Sequence, residues 1–228
     1  SPEKSLVDKI RYAMHRLQGV YSLTIMTKDR LFGVRDPLGL RPLCLGKING
    51  GWILASETCA LDHIGANFIR EIEPGEIVAI DENGLKSYPE ETGKRALCIF
   101  EYIYFARPDS TINGRLLYQA RQAMGAGLAE EHPVDADLVV GVPDSATAAA
   151  AGYAQRSGIP LAEGLVKNRY VGRTFIEPDQ RIRDLGVKLK FNPMPQVLAG
   201  KRIVLVDDSI VRGTTTPQVI KLLRKAGA

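Results

Sequence analysis

The stretch IVLVDDSIVRGTTT, residues 203–216, restricts the fold of this chain more than any other part of the sequence. Its four leading apolar residues predict a buried strand, which two adjacent aspartates, Asp207 and Asp208, bring to an end. Gly213, three threonines and Pro217 follow, and they predict a turn into a helix because proline favours the first helical turn. Two adjacent carboxylates repel each other, so we expect a ligand at this strand end, where open parallel sheets bind their ligands.

The residue types in this stretch suit a phosphorylated sugar. Backbone N–H groups at a helix start, together with threonine hydroxyls, bind phosphate. Paired carboxylates accept hydrogen bonds from neighbouring sugar hydroxyls and also bind a hard cation, which prefers oxygen ligands. A structural alternative is that the aspartates only end a strand and the threonines only cap a helix, since these residue types favour such positions.

Two different patterns divide the chain, with a polar segment, YPEETGKRA, between them. Residues 1–93 begin with a helical periodicity in SLVDKIRYAMHRLQG and continue with short strand-like runs between turn signals, which predicts a mostly antiparallel sheet domain with helices. The predicted strands are VYSLTIM, LFGV, LCLGKI, GWILAS and GEIVAI.

Residues 94–228 alternate strands and helices, which predicts a doubly wound, parallel α/β domain. We expect a helix over 113–131, then strand ADLVVGV, helix SATAAAAGYAQ, strands GIPLAEGLV and KRIVLV, and helix TPQVIKLLRKAG.

Composition excludes several function classes. The three cysteines are odd in number and lack C-x-x-C spacing, which argues against a disulfide framework or a zinc site. No signal peptide or membrane-spanning pattern occurs, so we expect a cytoplasmic protein without a membrane partner. The net charge of +4 is too small to indicate nucleic-acid binding, but residues 167–190 alone hold seven basic and three acidic residues, which suits an anionic ligand.

The order of apolar strand, two aspartates, Arg-Gly and three threonines resembles the phosphoribosyl diphosphate (PRPP) motif of the type I phosphoribosyltransferases. The resemblance implies that PRPP is bound by Asp207, Asp208, Ser209, Arg212, Gly213, Thr214, Thr215 and Thr216. The turn VPDS, at the end of the strand ADLVVGV, is similar to the diphosphate loop of these enzymes. It implies that Pro143, Asp144 and Ser145 also bind PRPP, and that Mg²⁺ lies near Ser145, Asp207 and Asp208. A structural alternative is that Asp144 or Ser145 caps the next helix.

Two further segments are similar to one family, the amidophosphoribosyltransferases. These are KNRYVGRTFIEPDQRIRDLGVKLK, residues 167–190, and CIFEYIYFARPDS, residues 98–110. The first resembles the family's closing basic loop, which implies that Lys190 and Arg173 are catalytic and that Lys167 and Arg169 bind the diphosphate; a solvated charged surface is the alternative. The family opens purine synthesis by converting PRPP, glutamine and water to 5-phosphoribosylamine, diphosphate and glutamate, and it implies a homo-oligomer.

The run GVRDPLGLRPLCLGK and the following GGWILASETCALD resemble the later part of an N-terminal-nucleophile glutaminase domain. In that family the nucleophile is an N-terminal cysteine, whereas this chain begins with Ser1. We therefore expect a middle portion of the family's chain, without glutaminase activity: 1–93 from an α+β glutaminase domain and 94–228 from a truncated α/β phosphoribosyltransferase domain. Within the first run, Arg35, Asp36 and Arg41 predict a cluster that braces the turn at Gly39.

The cysteines differ in what the resemblance implies. Cys44 and Cys59 match no functional position, so we expect small buried residues. Cys98 stands where one branch of the family has a ligand of a [4Fe-4S] cluster, and branches without a cluster also have a cysteine there, so both alternatives stay open.

Two other functions share the PRPP motif: a nucleobase phosphoribosyltransferase and a PRPP-binding regulator without catalysis. The glutaminase-like first part argues against the former. The presence of Lys190 and of the diphosphate turn argues against the latter.

Overall fold

The computed structural model describes residues 5–90, 95–170, 190–210, 213 and 215–228. The chain forms two compact units, Ser1–Leu117 and Tyr118–Ala228. The predicted domain boundary between residues 93 and 94 lies outside the described residues and stays a prediction.

The elements of the first unit are α1 (Leu6–Met14), β1 (Ser22–Met26), β2 (Leu31–Arg35), β3 (Cys44–Ile48), β4 (Gly51–Ala55), α2 (Thr58–His63), β5 (Asn67–Glu71), β6 (Ile77–Asp81), β7 (Gly84–Tyr88), a π-helix (Glu101–Phe105), β8 (Thr111–Ile112) and β9 (Arg115–Leu116). Its strands form two larger antiparallel sheets, with strand orders β1-β2-β6-β7 and β4-β3-β5, and the two-stranded sheet β8-β9. The predicted antiparallel character and all five predicted strands are confirmed. The prediction missed α2, β5 and β7.

A capping box starts α1. The Ser5 hydroxyl accepts a hydrogen bond from the Asp8 N–H, and the Asp8 carboxylate accepts one from the Ser5 N–H, so two N–H groups at the helix start are satisfied. The helix then buries Val7, Ile10 and Met14 in a core shared with β2 and β6.

The predicted bracing cluster at Gly39 is confirmed for Arg35 and Asp36, whereas the Arg41 side chain pairs with Glu101 instead. The Asp36 carboxylate accepts hydrogen bonds from the N–H groups of Leu38 and Gly39, at 2.9 and 3.0 Å. The buried Arg35 guanidinium donates to the carbonyl oxygens of Arg41, Gly39 and Ile72. A Cβ at Gly39 would lie 2.5 Å from Pro74 Cγ, so only glycine fits this turn.

The two cysteines of the first part are buried, as predicted. Burial, and then the charge of Glu71, raise the pKa of the Cys44 thiol to about 12. Cys44 therefore stays a neutral thiol and acts as a small apolar side chain.

The elements of the second unit are α3 (Leu117–Glu131), which enters the unit from Tyr118 on, β10 (Leu138–Gly141), α4 (Thr147–Ser157), β11 (Leu165–Lys167), β12 (Phe191–Pro193), α5 (Pro195–Leu198), β13 (Ile203–Val206) and α6 (Thr215–Lys225). Helices cover both faces of the parallel strand pair β10 and β13. Val139 of β10 packs with Ala150 and Tyr153, whereas Val140 packs with Leu198 and Val219, because successive strand residues point to opposite faces.

Two predicted elements of this part were wrong in extent. The helix expected from Asn113 begins at Leu117, because the preceding residues form the β8–β9 hairpin, with positive φ at Asn113 and Gly114. The expected strand GIPLAEGLV is two pieces: Leu161 makes a parallel bridge to Val139, and β11 pairs antiparallel with β12. Among the described residues, no helix is both long and apolar enough to cross a membrane.

Helices α3 and α4 meet backbone to backbone. A Cβ at Gly125 would lie 1.8 Å from the Ala149 carbonyl oxygen, and one at Gly152 would lie 1.9 Å from the Gln122 carbonyl oxygen. Each helix therefore needs a glycine at the contact, and α4 is held at a fixed position directly after the turn at residues 143–145.

Candidate functional site

The carboxyl ends of β10 and β13 lie side by side. The strands are parallel, with Gly141 opposite Val206, and the Val142 N–H donates to the Val206 carbonyl at 2.9 Å. This register brings together two segments that the sequence singled out separately: the turn at 143–145 and the pair of aspartates at 207–208.

The two aspartates are partly buried and tied to the local backbone. The Asp208 N–H donates to Asp207 Oδ1 at 2.9 Å, and the Ser209 hydroxyl donates to Asp208 Oδ1 at 2.5 Å. Burial is the main cause that raises the pKa of Asp207, with the Asp208 charge adding to it and Lys190 acting in the opposite direction. The ionised form of Asp207 is therefore less stable here than in water, and a bound cation would stabilise it.

The β11–β12 ribbon supplies two lysines to the site. Lys167 lies opposite Phe191, and the Asn168 N–H donates to the Lys190 carbonyl at 2.8 Å, so both lysines stand at the same end of the ribbon. Burial, and then the charge of Lys167, lower the pKa of Lys190, while Asp207, Asp208 and Asp144 act in the opposite direction. Lys190 therefore shares its surroundings with three carboxylates and one other ammonium group.

The turn before α4 is not capped by its polar side chains. The helix begins at Thr147, its N-cap residue is Ala146, and no side chain accepts a hydrogen bond there. The Asp144 carboxylate instead forms an ion pair with Lys167 Nζ at 2.5 Å. The alternative in which Asp144 or Ser145 caps this helix is therefore wrong. The sequence did not indicate the pair, since its partners lie 23 positions apart.

Three predicted site residues, Arg173, Arg212 and Thr214, lie outside the described residues. Gly213 is exposed with φ +64°, and α6 begins at Thr215, two positions before Pro217. The remaining predicted residues are described individually: Pro143, Ser145, Ser209, Thr215 and Thr216 are partly buried, and Arg169 is exposed. The structure brings together Asp144, Lys167, Lys190, Asp207 and Asp208, and the binding roles of all these residues stay predictions.

The carboxylates of Asp207 and Asp208 fit Mg²⁺ only when substrate phosphates complete its coordination. Within the described ranges, no three His, Cys, Asp or Glu side chains are grouped so that they could hold a metal ion by themselves. Mg²⁺ commonly binds one or two carboxylates plus substrate phosphates, and Asp207 and Asp208 can supply the carboxylates. Cys98 is partly buried, and the described part of the chain gives it no companion ligands for an iron–sulfur cluster, so no chemistry is assigned to one.

The segment at 98–110 carries a partly buried ion pair that was not among the predicted features. Glu101 is 3% exposed and pairs with Arg41, whose guanidinium also lies 4.0 Å from the centroid of the Phe105 ring. Burial raises the pKa of Glu101, and the Arg41 charge opposes this. A charged residue inside the apolar run IFEYIYF was the available signal. The pair joins the loop after β2 to the π-helix within the first unit.

A cavity of about 500 Å³ lies in the first unit, lined by Arg70, Arg95, Phe68 and Leu97 among others. Arg70 is paired with Glu76, and Arg95 with Glu73. These two cations already have carboxylate partners, so neither offers an unpaired positive charge to an anion in the cavity.

Comparison with protein families decides the assignment of the second part. The sequence model for the family described as "Phosphoribosyl transferase domain" matches residues 112–228. The chain belongs to this phosphoribosyl transferase family. Residues 4–63 match a second family, described as "Glutamine amidotransferase domain". The predicted combination of a glutaminase-type part and a phosphoribosyltransferase part is thereby confirmed.

The relatives of this phosphoribosyl transferase chain are similar over both parts. It is 55% identical to the amidophosphoribosyltransferase of Mycobacterium tuberculosis (strain ATCC 25618 / H37Rv) over 212 residues, which cover 93% of the chain and 40% of the relative. It is 55% identical to the Synechocystis enzyme over 229 residues, 99% of the chain and 46% of the relative. The chloroplastic enzyme of Glycine max is 51% identical over 100% of the chain and 40% of its own length.

A solved structure agrees with these matches. Glutamine PRPP amidotransferase from B. subtilis, complexed with ADP and GMP, superposes with a TM-score of 0.91 at 48% identity, over 100% of this chain and 50% of that one. The resemblance to amidophosphoribosyltransferases is confirmed, and the chain spans half or less of the length of these relatives.

Proposed function

We propose that this chain carries the PRPP site of an amidophosphoribosyltransferase, which converts PRPP, glutamine and water to 5-phosphoribosylamine, diphosphate and glutamate. One observation carries the proposal. The parallel register of β10 and β13 sets the turn at 143–145 beside Asp207 and Asp208, with Lys190 among them. The match of residues 4–63 to a glutamine amidotransferase family favours this function over a nucleobase phosphoribosyltransferase.

Each part of PRPP has a counterpart in the site. We assign the ribose hydroxyls to Asp207 and Asp208, whose carboxylates are acceptors, and the 5-phosphate to the N–H groups and hydroxyls at 213–216, where α6 begins. We assign the diphosphate to the turn at 143–145, to Lys167 and Lys190, and to Arg169, Arg173 and Arg212.

The chemistry explains why cations surround the diphosphate. Its departure from C1 of the ribose leaves a cationic, oxocarbenium-like centre and a leaving group that gains negative charge. Lys190, partly buried and thus poorly screened by water, stabilises that leaving group. Mg²⁺ held by Asp207 and Asp208 would add further positive charge to the diphosphate. Ammonia is a sufficient nucleophile without a general base, in keeping with exposed positions for His15, His63 and His132.

Several finer properties belong to the same proposal. Glutamine would supply the ammonia in the longer polypeptide, whose nucleophilic cysteine is not among these 228 residues. We propose that the protein uses Mg²⁺, as the phosphoribosyltransferase family suggests. We also propose that it is a cytoplasmic homo-oligomer. Cys98 is proposed as a ligand of a [4Fe-4S] cluster only in combination with cysteines from outside the present sequence.

The binding step can be tested with the chain itself. Isothermal titration with PRPP and Mg²⁺ should give a one-to-one complex, and the double variant Asp207→Asn, Asp208→Asn should abolish it while the melting temperature stays equal or rises, because two repelling charges are removed. Asp135→Asn is the matched control, since Asp135 is exposed and precedes the opposite end of β10. Unchanged affinity in the double variant would refute the site.

A further inference from the structure

We infer that the Asp144 carboxylate is a placeholder for the diphosphate: in the ligand-free chain it holds Lys167 Nζ, and a diphosphate oxygen displaces it on binding. The inference rests on the proposed function and adds a regulatory contact to that site. It predicts that Asp144 weakens diphosphate binding, although its backbone belongs to the turn that receives the ligand.

The backbone and the side chain of Asp144 make different contacts. Its carbonyl oxygen accepts the Thr147 N–H at 3.3 Å, which anchors the backbone in the turn before α4. Its side chain is 75% exposed and takes part in no capping contact. The carboxylate reaches Lys167 Nζ at 2.5 Å, and Lys167 stands at the end of β11 with 36% of its side chain exposed.

The two possible acceptors for Lys167 are chemically alike. An ammonium group binds carboxylate and phosphate oxygens by the same charge-assisted hydrogen bonds. In the ligand-free chain Lys167 is already paired with the Asp144 carboxylate, so a diphosphate bound at the turn must displace this carboxylate to pair with Lys167. The exchange is easy because exposed ion pairs are weak, and the strength typical of such pairs corresponds to a factor of about 1.5 to 5 in an equilibrium constant.

The alternative is simple repulsion between Asp144 and an anionic ligand, without involvement of Lys167. Both ideas predict tighter binding when the carboxylate is removed. They differ in a double-mutant cycle, since the placeholder acts only through Lys167, whereas repulsion acts whether or not this lysine is present.

The experiment uses the 228-residue chain and inorganic diphosphate with Mg²⁺ as the titrated probe, followed by PRPP. Asp144→Asn should lower the Kd for diphosphate about 1.5- to 5-fold. Asp135→Asn removes the same charge from another, more exposed ion pair, that of Asp135 with Arg202 at 2.8 Å. This pair lies before the amino ends of β10 and β13, so the substitution should leave the Kd unchanged. In a Lys167→Gln background, Asp144→Asn should have no effect.

Three results would overturn the inference: an unchanged Kd in Asp144→Asn, a raised Kd, or tightening that persists in the Lys167→Gln background. A wild-type chain that binds neither diphosphate nor PRPP would overturn the proposed function and the inference with it. Normal wild-type binding without an Asp144 effect removes the placeholder alone. Melting temperatures of all variants serve to verify folding.

Discussion

Substitution of Gly125 by alanine should destabilise the second unit, although alanine is the better helix former. The added Cβ would lie 1.8 Å from the Ala149 carbonyl oxygen and 2.7 Å from its carbonyl carbon. Because a normal contact needs about 3.5 Å, α3 and α4 would have to separate by roughly 1.7 Å. Overpacking costs about 1–3 kcal/mol, and the obstacle here is backbone, so we take about 3 kcal/mol. The higher helix propensity of alanine offsets about 1 kcal/mol of this cost, so the free energy of unfolding should fall by about 2 kcal/mol.

The same helix supplies a matched control. Gly127 lies two positions further along α3, and a Cβ there would meet nothing within 4 Å. Gly127→Ala should therefore stabilise the chain by about 0.5–1 kcal/mol. Thermal unfolding followed by circular dichroism should show a melting temperature lowered by roughly 4–8 °C for Gly125→Ala and slightly raised for Gly127→Ala.

The separation of α3 and α4 should also change the geometry of the site. Helix α4, with Ala146 as its N-cap residue, follows the turn at 143–145, so its displacement moves that turn away from Asp207 and Asp208. We expect weaker PRPP binding in Gly125→Ala and unchanged binding in Gly127→Ala. If both substitutions shift stability in the same direction, the contact between α3 and α4 does not have the importance assigned to it.

Three further predictions concern charge. Burial alone would raise the pKa of Glu76, but hydrogen bonds from Arg70, Ser87 and the Glu73 N–H outweigh it and lower the pKa. The ionised Glu76 therefore contributes its full stabilisation above about pH 4.3, the ordinary pKa of a glutamate, and this stabilisation is lost as the pH falls through the lowered pKa of the folded state. Glu76→Ala should lower the free energy of unfolding by about 3 kcal/mol at pH 7, and it should make stability depend less on pH in acid unfolding curves. Because the pKa of Lys190 is lowered, PRPP affinity should begin to fall at a lower pH than the value of about 10.4 for an ordinary lysine. Lys190→Arg should extend binding to higher pH in titrations across the alkaline range; an identical pH profile would count against Lys190 as a diphosphate ligand. Removal of Mg²⁺ with EDTA should weaken PRPP binding at least tenfold, and equal affinity with and without the chelator would contradict the metal assignment.

The elements that the sequence predicted well are those with dense apolar periodicity. The strands LVVG and IVLV and the helix TAAAAGYAQRS are partly buried segments whose patterns identify them without tertiary information. Strand β5, NFIRE, was missed because most of its residues are exposed and because its pairing with β3 contains an irregularity between Leu45 and Gly46. Strand β7, GLKSY, is a largely polar edge strand, which has no strong signal of its own.

The sequence singled out the turn at 143–145 and the aspartates at 207–208 separately, by residue type and by their resemblance to a known motif. The structure brings these segments together, but the side-chain pairings between them and the lysines were not predictable. The pairing of Asp144 with Lys167 depends on where β11 places its last residue, which local preferences do not determine. The Gly125–Ala149 contact likewise depends on how two helices cross, and a glycine within a helical pattern carries no such information.

The charge balance of the site explains why acids and an anionic ligand can occupy the same strand end. The five side chains that the structure brings together, Lys167, Lys190, Asp144, Asp207 and Asp208, carry one net negative charge, which the exposed Arg169 can at most neutralise, so these described residues give no positive field for PRPP. The ion pair of Asp144 with Lys167 neutralises part of that charge, and the adjacent Asp207 and Asp208 remain as a concentrated negative centre; burial raises the pKa of Asp207 within it. In the proposed site such a centre would attract a divalent cation, which would add positive charge for the phosphates. The acids would then bind the sugar hydroxyls directly and the phosphates through the cation, so we expect metal and substrate binding to depend on each other.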